Sequence, residues 1–138
     1  MSSASYLNKV VFVDDDPITN SLHKTFAESI GLAKHLEFYE SGEEVLKKYA
    51  EIEDLNDFPD LFFVDLNLPK IDGHELGLSI RKLNGYDHKK SKICFLTASK
   101  DIRDVIKADS HEFDHYYWKP LEKRKIMQLL REAFGIVE

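Results

Sequence analysis

The sequence holds a single cysteine. Cys94 therefore has no internal disulfide partner, and it sits in the apolar run Ile93-Cys94-Phe95-Leu96, where a thiol behaves as a small hydrophobe. A disulfide framework is excluded, and a reducing, cytoplasmic setting is the expectation. No stretch approaches the roughly 20 apolar residues of a membrane-spanning helix, and residues 1–9 lack the apolar core of a secretion signal. Basic residues are also in deficit, 19 against 25 acidic, for a net charge of −6. That balance disfavours a general grip on nucleic acid or anionic lipid and leaves proteins and small ions as partners. There is no internal repeat, low-complexity tract or linker.

What is present suffices for one core. The 138 residues are 43% apolar and 12% aromatic, so a single domain with its core at about residues 8–136, and no second domain, is the expectation. Short apolar runs at Val10–Val13, Leu36–Tyr39, Leu61–Val64, Ile93–Leu96 and Phe113–Trp118 predict five strands. In the first, third and fourth the hydrophobicity is continuous rather than alternating, as in parallel strands covered on both faces.

Segments with helical spacing separate the runs. Ile18, Leu22, Phe26 and Ile30 fall four apart and predict one inward helical face, with Asp16 as N-cap, Pro17 opening the helix and Gly31 closing it. Ser41 and Glu44 form a capping box before Val45, Leu46 and Tyr49, and Asp72 caps a helix bearing Leu76, Ile80 and Leu83. Ile102, Val105 and Ile106 predict a short fourth helix, and Ile126, Leu129, Leu130, Ala133 and Phe134 a last one. The order is five βα units, hence a doubly wound α/β fold, (βα)5, with one five-stranded parallel sheet.

Ligands of such sheets collect at the C-terminal strand ends. There the sequence places Asp14-Asp15-Asp16, Asp65, Thr97 and Lys119-Pro120. Gathered carboxylates repel one another and resist ionisation unless a hard divalent cation with oxygen ligands compensates them, so the cluster asks for Mg²⁺. Lys119 and the Thr97 hydroxyl suit a phosphoryl group better than a neutral substrate. Taken singly these residues say little: an acidic pair before a helix is usually a cap, a strand-end threonine is usually there for shape, and a lysine is usually solvated. Their convergence at one sheet edge favours function. Gly73 reads most simply as a helix-start or turn glycine. Six histidines, at 23, 35, 74, 88, 111 and 115, lack metal-ligand spacing and read as surface or interface residues. The basic stretch 88–92 reads as a solvated loop.

Four motifs in order, Val13-Asp14-Asp15-Asp16-Pro17, Val64-Asp65-Leu66-Asn67-Leu68-Pro69-Lys70-Ile71-Asp72-Gly73, Leu96-Thr97-Ala98 and Trp118-Lys119-Pro120, closely resemble the receiver domain of two-component response regulators. The resemblance covers nearly the whole chain and implies a flavodoxin-like, CheY-like fold. It implies that Asp65 is the phosphoacceptor, that Asp14, Asp15, Asp65 and the backbone carbonyl of Asn67 hold Mg²⁺, and that Thr97 and Lys119 contact the phosphoryl oxygens. Thr97 and Tyr116 would form the switch, Asn67 and Ser99 would tune dephosphorylation, and the Lys119-Pro120 peptide would be cis. The donor would be a sensor histidine kinase or a histidine phosphotransfer protein, and loading and hydrolysis would be self-catalysed rather than a separate enzyme activity. Output would pass through the surface of helix four, strand five and helix five to a protein partner, or through a phosphorelay or homodimerisation.

Two other readings compete. Asp14-x-Asp16 after an apolar strand resembles the nucleophile motif of haloacid-dehalogenase-type Mg²⁺ phosphohydrolases, although the acidic pair that family needs after its lysine is missing and Asp65 would be unexplained. A pseudo-receiver, an interaction module that is not phosphorylated, would ordinarily lack one of the motif residues, and none is missing here.

Overall fold

A computed structural model describes residues 5–97, 115–119 and 121–136. Ala98, Ser99, the predicted fourth helix, His111, Phe113 and Pro120 lie outside the described residues, as does the Trp118 side chain. Strands β1 (Leu7–Val13), β2 (Ala33–Tyr39), β3 (Leu61–Asp65), β4 (Lys92–Thr97) and β5 (His115–Trp118) form one sheet in the order β2-β1-β3-β4-β5. Every neighbouring pair is parallel. The described helices are α1 (Pro17–Ile30), α2 (Gly42–Ala50), α3 (Gly73–Arg81) and the C-terminal helix (Lys123–Phe134), with a 3-10 turn at Leu55–Asp57.

The continuous apolar runs are the central strands. Leu61 to Val64 are wholly buried, because β3 is covered on both faces. Phe62 packs with Val45, Tyr49, Leu76 and Ile80 of α2 and α3, whereas Phe63 packs with Ala27 of α1 and Ile126, Leu129 and Leu130 of the C-terminal helix. Each ring contributes roughly 2–3 kcal/mol of transfer free energy. Cys94 is fully buried in the second cluster, and burial pushes its thiol pKa well up, so it is core.

The caps form as their sequences specify. Asp16 accepts from the Ile18 amide at 3.0 Å and from the Thr19 hydroxyl at 2.9 Å. Asp72 accepts from the Glu75 amide at 2.9 Å, and Gly31 closes α1 in the left-handed region at φ 64°. Ser41 accepts from the Glu44 amide at 3.3 Å, while the Glu44 carboxylate takes the Ser41 hydroxyl at 3.1 Å rather than the Ser41 amide of a full capping box.

The expected inward face of α1 is corrected. Ile18 and Leu22 are 70% and 65% exposed, and the buried positions are Asn20, His23 and Ala27. Each four-residue step turns about 40° around a helix. The row that starts at half-buried Ile30 and Phe26 therefore rotates away from the sheet by the time it reaches Leu22 and Ile18.

Candidate functional site

The strand order reverses at β1, so β1 and β3 lie side by side while their following helices cover opposite faces. A crevice forms outside the strand ends at such a point. Asp14 follows β1 directly and Asp65 ends β3. Both are buried, at 2% and 6% exposure, whereas Asp15 is exposed. One carboxylate oxygen from each of Asp14, Asp15 and Asp65 lies within 4.8 Å of the others. Three hard oxygen donors at that spacing fit a divalent cation such as Mg²⁺.

The loop backbone is held from several sides. The Asp14 amide donates to the Tyr39 carbonyl at 3.0 Å and the Asp16 amide to Asp14 Oδ1 at 3.0 Å. The Asn67 amide donates to Asp65 Oδ1 at 3.1 Å, which leaves the Asn67 carbonyl unclaimed by that bond. After Asp65 the chain passes through Lys70, a non-glycine residue at φ 62°, before α3 begins. Residue type gives no hint of that left-handed conformation, which asparagine or glycine adopts more readily.

Lys119 brings β5 into the site. Its amide donates to the Thr97 carbonyl at 2.8 Å, and its Nζ lies 2.6 Å from Asp14 Oδ2 and 3.5 Å from Asp65 Oδ2. Burial opposes the lysine charge, but the Asp14 hydrogen bond and the Asp65 and Asp14 charges outweigh it and raise its pKa. Asp65 is also raised, chiefly by burial, with Asp14 and Asp15 adding to the rise and the Asn67 amide and Lys119 opposing it. The two shifts agree once the distances are weighed: the lysine's short contact is to Asp14, so Asp65 is incompletely compensated. Thr97 ends β4 with 1% exposure. Tyr116 pairs with Phe95 in β5 and packs half-buried against the α2–α3 core.

One sequence reading is sharpened and another changes. Gly73 opens α3 as expected but needs no special backbone angle; a Cβ there would stand 2.4 Å from the Asp65 carbonyl oxygen and 2.6 Å from Leu66 Cα, so the residue is glycine because α3 starts against the Asp65–Leu66 backbone. Its amide donates to the Leu66 carbonyl at 3.1 Å, which requires that approach. His23 and His74, read as surface or interface residues, are buried within the domain at 6% and 3% exposure. His23 stacks on Phe12 at 5.1 Å, and His74 tilts against Phe95 at 5.5 Å. Imidazoles fill such places as flat rings, and a histidine in a helix carries no sequence mark that separates this from solvation.

Burial holds the His23 pKa below the usual histidine range, with Lys119 adding to the depression and Asp14 opposing it. Its Nδ1 is buried without a hydrogen-bond partner among the described residues. A depressed base pKa means that the unfolded chain takes up the proton first, so stability falls as pH drops below about 6.5. His23→Phe keeps a ring on Phe12 and removes the titration. Thermal melts are expected to show this variant gaining more over wild type near about pH 5.5 than near about pH 8; an equal difference at both would show that His23 does not titrate on unfolding.

Sequence and structure comparisons show the family and the fold. A family model described as the response regulator receiver domain matches residues 10–131. The transcriptional regulatory protein TrcR of Mycobacterium tuberculosis is 27% identical over 123 residues, covering 89% of this chain and 44% of TrcR. The osmosensing histidine protein kinase SLN1 of Saccharomyces cerevisiae is 25% identical over 124 residues, covering 90% of this chain and 10% of SLN1. The chain thus spans between a tenth and less than half of these two relatives. The crystal structure of a two component response regulator from Cytophaga hutchinsonii superimposes with a TM-score of 0.79 at 29% identity, covering 94% of this chain and 98% of that one. With the matched segment running from β1 into the C-terminal helix, the chain belongs to the response regulator receiver domain family.

Proposed function

We propose that this domain accepts a phosphoryl group on Asp65 from a phosphohistidine donor, a sensor kinase or phosphotransfer protein, in a Mg²⁺-dependent reaction. The observation that carries the reading is the juxtaposition of buried Asp65 with Asp14, Asp15 and Lys119 at the β1–β3 crevice. Asp14, Asp15, Asp65 and the Asn67 carbonyl would hold Mg²⁺, which when bound offsets the negative charge of the carboxylates and of the incoming phosphoryl group.

The residues do the rest. Burial leaves Asp65 poorly solvated, so little water must be stripped before its carboxylate approaches phosphorus. The Asn67 amide fixes one carboxylate oxygen and so the direction of attack. As the new Asp65 O–P bond forms, the donor P–N bond breaks and its electron pair returns to the imidazole. Lys119 supplies the fixed cation for charge developing on the phosphoryl oxygens, and the Thr97 hydroxyl a further contact. Tyr116, beside Phe95, would respond through the β4–β5 edge when Thr97 moves, passing the change to a protein partner. Ile18 and Leu22, exposed on the first turns of α1 just after the acidic residues, give a docking donor apolar surface to cover.

Among the described residues, no acidic pair beyond Lys119 supports the phosphohydrolase reading. Beyond Lys119, Glu122 lies 3.6 Å from Arg124 and 3.5 Å from Lys125, and Glu132 accepts from Gln128 at 2.9 Å on the exposed side of the C-terminal helix. Neither residue belongs to the acidic cluster.

Intact mass after incubation with acetyl phosphate and Mg²⁺ tests the proposal. One added phosphoryl group is expected for wild type, none for Asp65→Asn, and a residual amount for Asp14→Asn. Labelling of Asp65→Asn with loss in Asp14→Asn would point to the hydrolase, and no labelling of any form to a pseudo-receiver.

A further inference from the structure

We infer that Asn20 is a positioning residue for the acidic pair Asp14–Asp15, an inference that rests on the reading of that pair as cation ligands. Helix α1 buries a polar residue where an apolar one would pack, and exposes Ile18 and Leu22 instead. Asn20 is 7% exposed, and its side-chain amide donates to the Asp14 carbonyl at 2.9 Å and more weakly to the Tyr39 carbonyl at 3.4 Å. It thereby ties together the ends of β1 and β2.

The Asp14 carbonyl belongs to the peptide that joins the two carboxylate-bearing residues. Its orientation sets the directions in which both side chains leave the backbone. The Asn20 amide holds this peptide from the α1 side, while the Asp14 amide is bonded to Tyr39 and the Asp16 amide holds the Asp14 carboxylate. The Asn20 backbone amide also donates to the Asp16 carbonyl at 3.1 Å, so the residue is fixed to the loop it holds.

Stability alone does not account for an asparagine here. Its Oδ1 is buried with no hydrogen-bond partner among the described residues. A leucine of similar size would fill the space without that orphaned acceptor, while leaving the Asp14 carbonyl without its donor, so the two exchanges roughly offset in stability. What a leucine cannot do is hold the Asp14–Asp15 peptide. Groups that orient metal ligands without touching the metal commonly change affinity by 10–100-fold.

Calorimetric titration of the full chain with MgCl₂ tests this, alongside thermal melts in chelator. Asn20→Leu is expected to weaken Mg²⁺ binding by roughly tenfold while its melting temperature in chelator stays close to that of wild type. His23→Phe, equally buried on α1 but not bonded to the loop, should leave the affinity unchanged. Asn20→Gln keeps the amide but moves it by one methylene; it should lose affinity likewise and decides the matter if Asn20→Leu does not fold. Affinity within about twofold of wild type in these Asn20 variants, below the smallest ligand-orienting effect, would overturn the proposal. If wild type binds no Mg²⁺, the phosphoacceptor reading fails, and the metal-free protein decides Asn20 separately. There the Asp14 carbonyl ¹³C and Asp15 amide ¹⁵N resonances should move in Asn20→Leu and hold still in His23→Phe, and unmoved resonances would overturn the positioning role.

Discussion

Lys119→Met is expected to slow phosphorylation by acetyl phosphate by roughly two orders of magnitude, the typical effect of removing a preorganised charge partner from a transition state. The lysine is the cation whose Nζ reaches both buried carboxylates, at 2.6 Å to Asp14 and 3.5 Å to Asp65. Methionine preserves most of the side-chain volume, so the lost quantity is charge. Stability should fall as well. A fully buried pair loses roughly 3–5 kcal/mol when one partner goes, but Lys119 keeps 20% side-chain exposure, so about 1–3 kcal/mol in chelator is expected after allowing for solvent. The pH dependence has a definite sign. The lysine pKa is raised, so on the alkaline side its contribution is intact through neutrality and is lost as pH rises through that raised value. In the variant Asp65 loses a compensating cation, and burial already raises its pKa, so the gap from wild type should narrow on the acid side as Asp65 takes up its proton. Mg²⁺ should restore part of the stability but not the rate. Stopped-flow labelling and melts with and without Mg²⁺ measure both effects, and a variant that labels at the wild-type rate would remove Lys119 from the phosphoryl site.

Gly73→Ala should destabilise the domain by about 2–3 kcal/mol, the upper part of the range for overpacking. An unfolding entropy of about 2.1 cal/mol/K per residue turns that into a fall of roughly 7–10 °C in melting temperature. The added methyl would meet backbone atoms on two sides, the Asp65 carbonyl oxygen at 2.4 Å and Leu66 Cα at 2.6 Å. Neither can move aside without displacing the end of β3. Relief by moving α3 would instead stretch the Gly73–Leu66 hydrogen bond and strain the cap at Asp72. The same displacement moves Asp65, so labelling should suffer beyond what the loss of folded protein explains. A melting temperature within about 2 °C of wild type, well under 1 kcal/mol at this size, would show that the contact relaxes freely.

Much of this site was legible in the sequence because each of its residues ends or follows an apolar run. Asp14, Asp65, Thr97 and Lys119 are brought to one edge by strand polarity alone. The central strands were legible for a related reason: burial on both faces leaves a continuous apolar run, and its length of four residues is too short for a helix of ordinary size. Edges were less so. β2 begins at Ala33 with exposed Lys34 and His35, and only its last four residues carry the apolar signal.

The misreadings have physical causes. Ile18 and Leu22 share a row with Phe26 and Ile30, but the row spirals, and only the helix's seating on the sheet decides which part of it is covered. His23 reads as a surface or interface residue and Asn20 carries no mark at all, because polar residues on helices are usually solvated, yet one stacks on Phe12 and the other bonds the loop carbonyls. The requirement for glycine at 73 depends on how closely two backbone segments pass, a distance that no local pattern encodes.

The central claim is that Asp65 is the residue that carries phosphate. Borohydride reduction of the acetyl-phosphate-treated domain converts an aspartyl phosphate to homoserine, and peptide mass spectrometry then locates it. The expected product is homoserine at position 65 alone, dependent on Mg²⁺ and absent in Asp65→Asn. Homoserine at position 14, or none anywhere under conditions that label another receiver domain, would contradict the account.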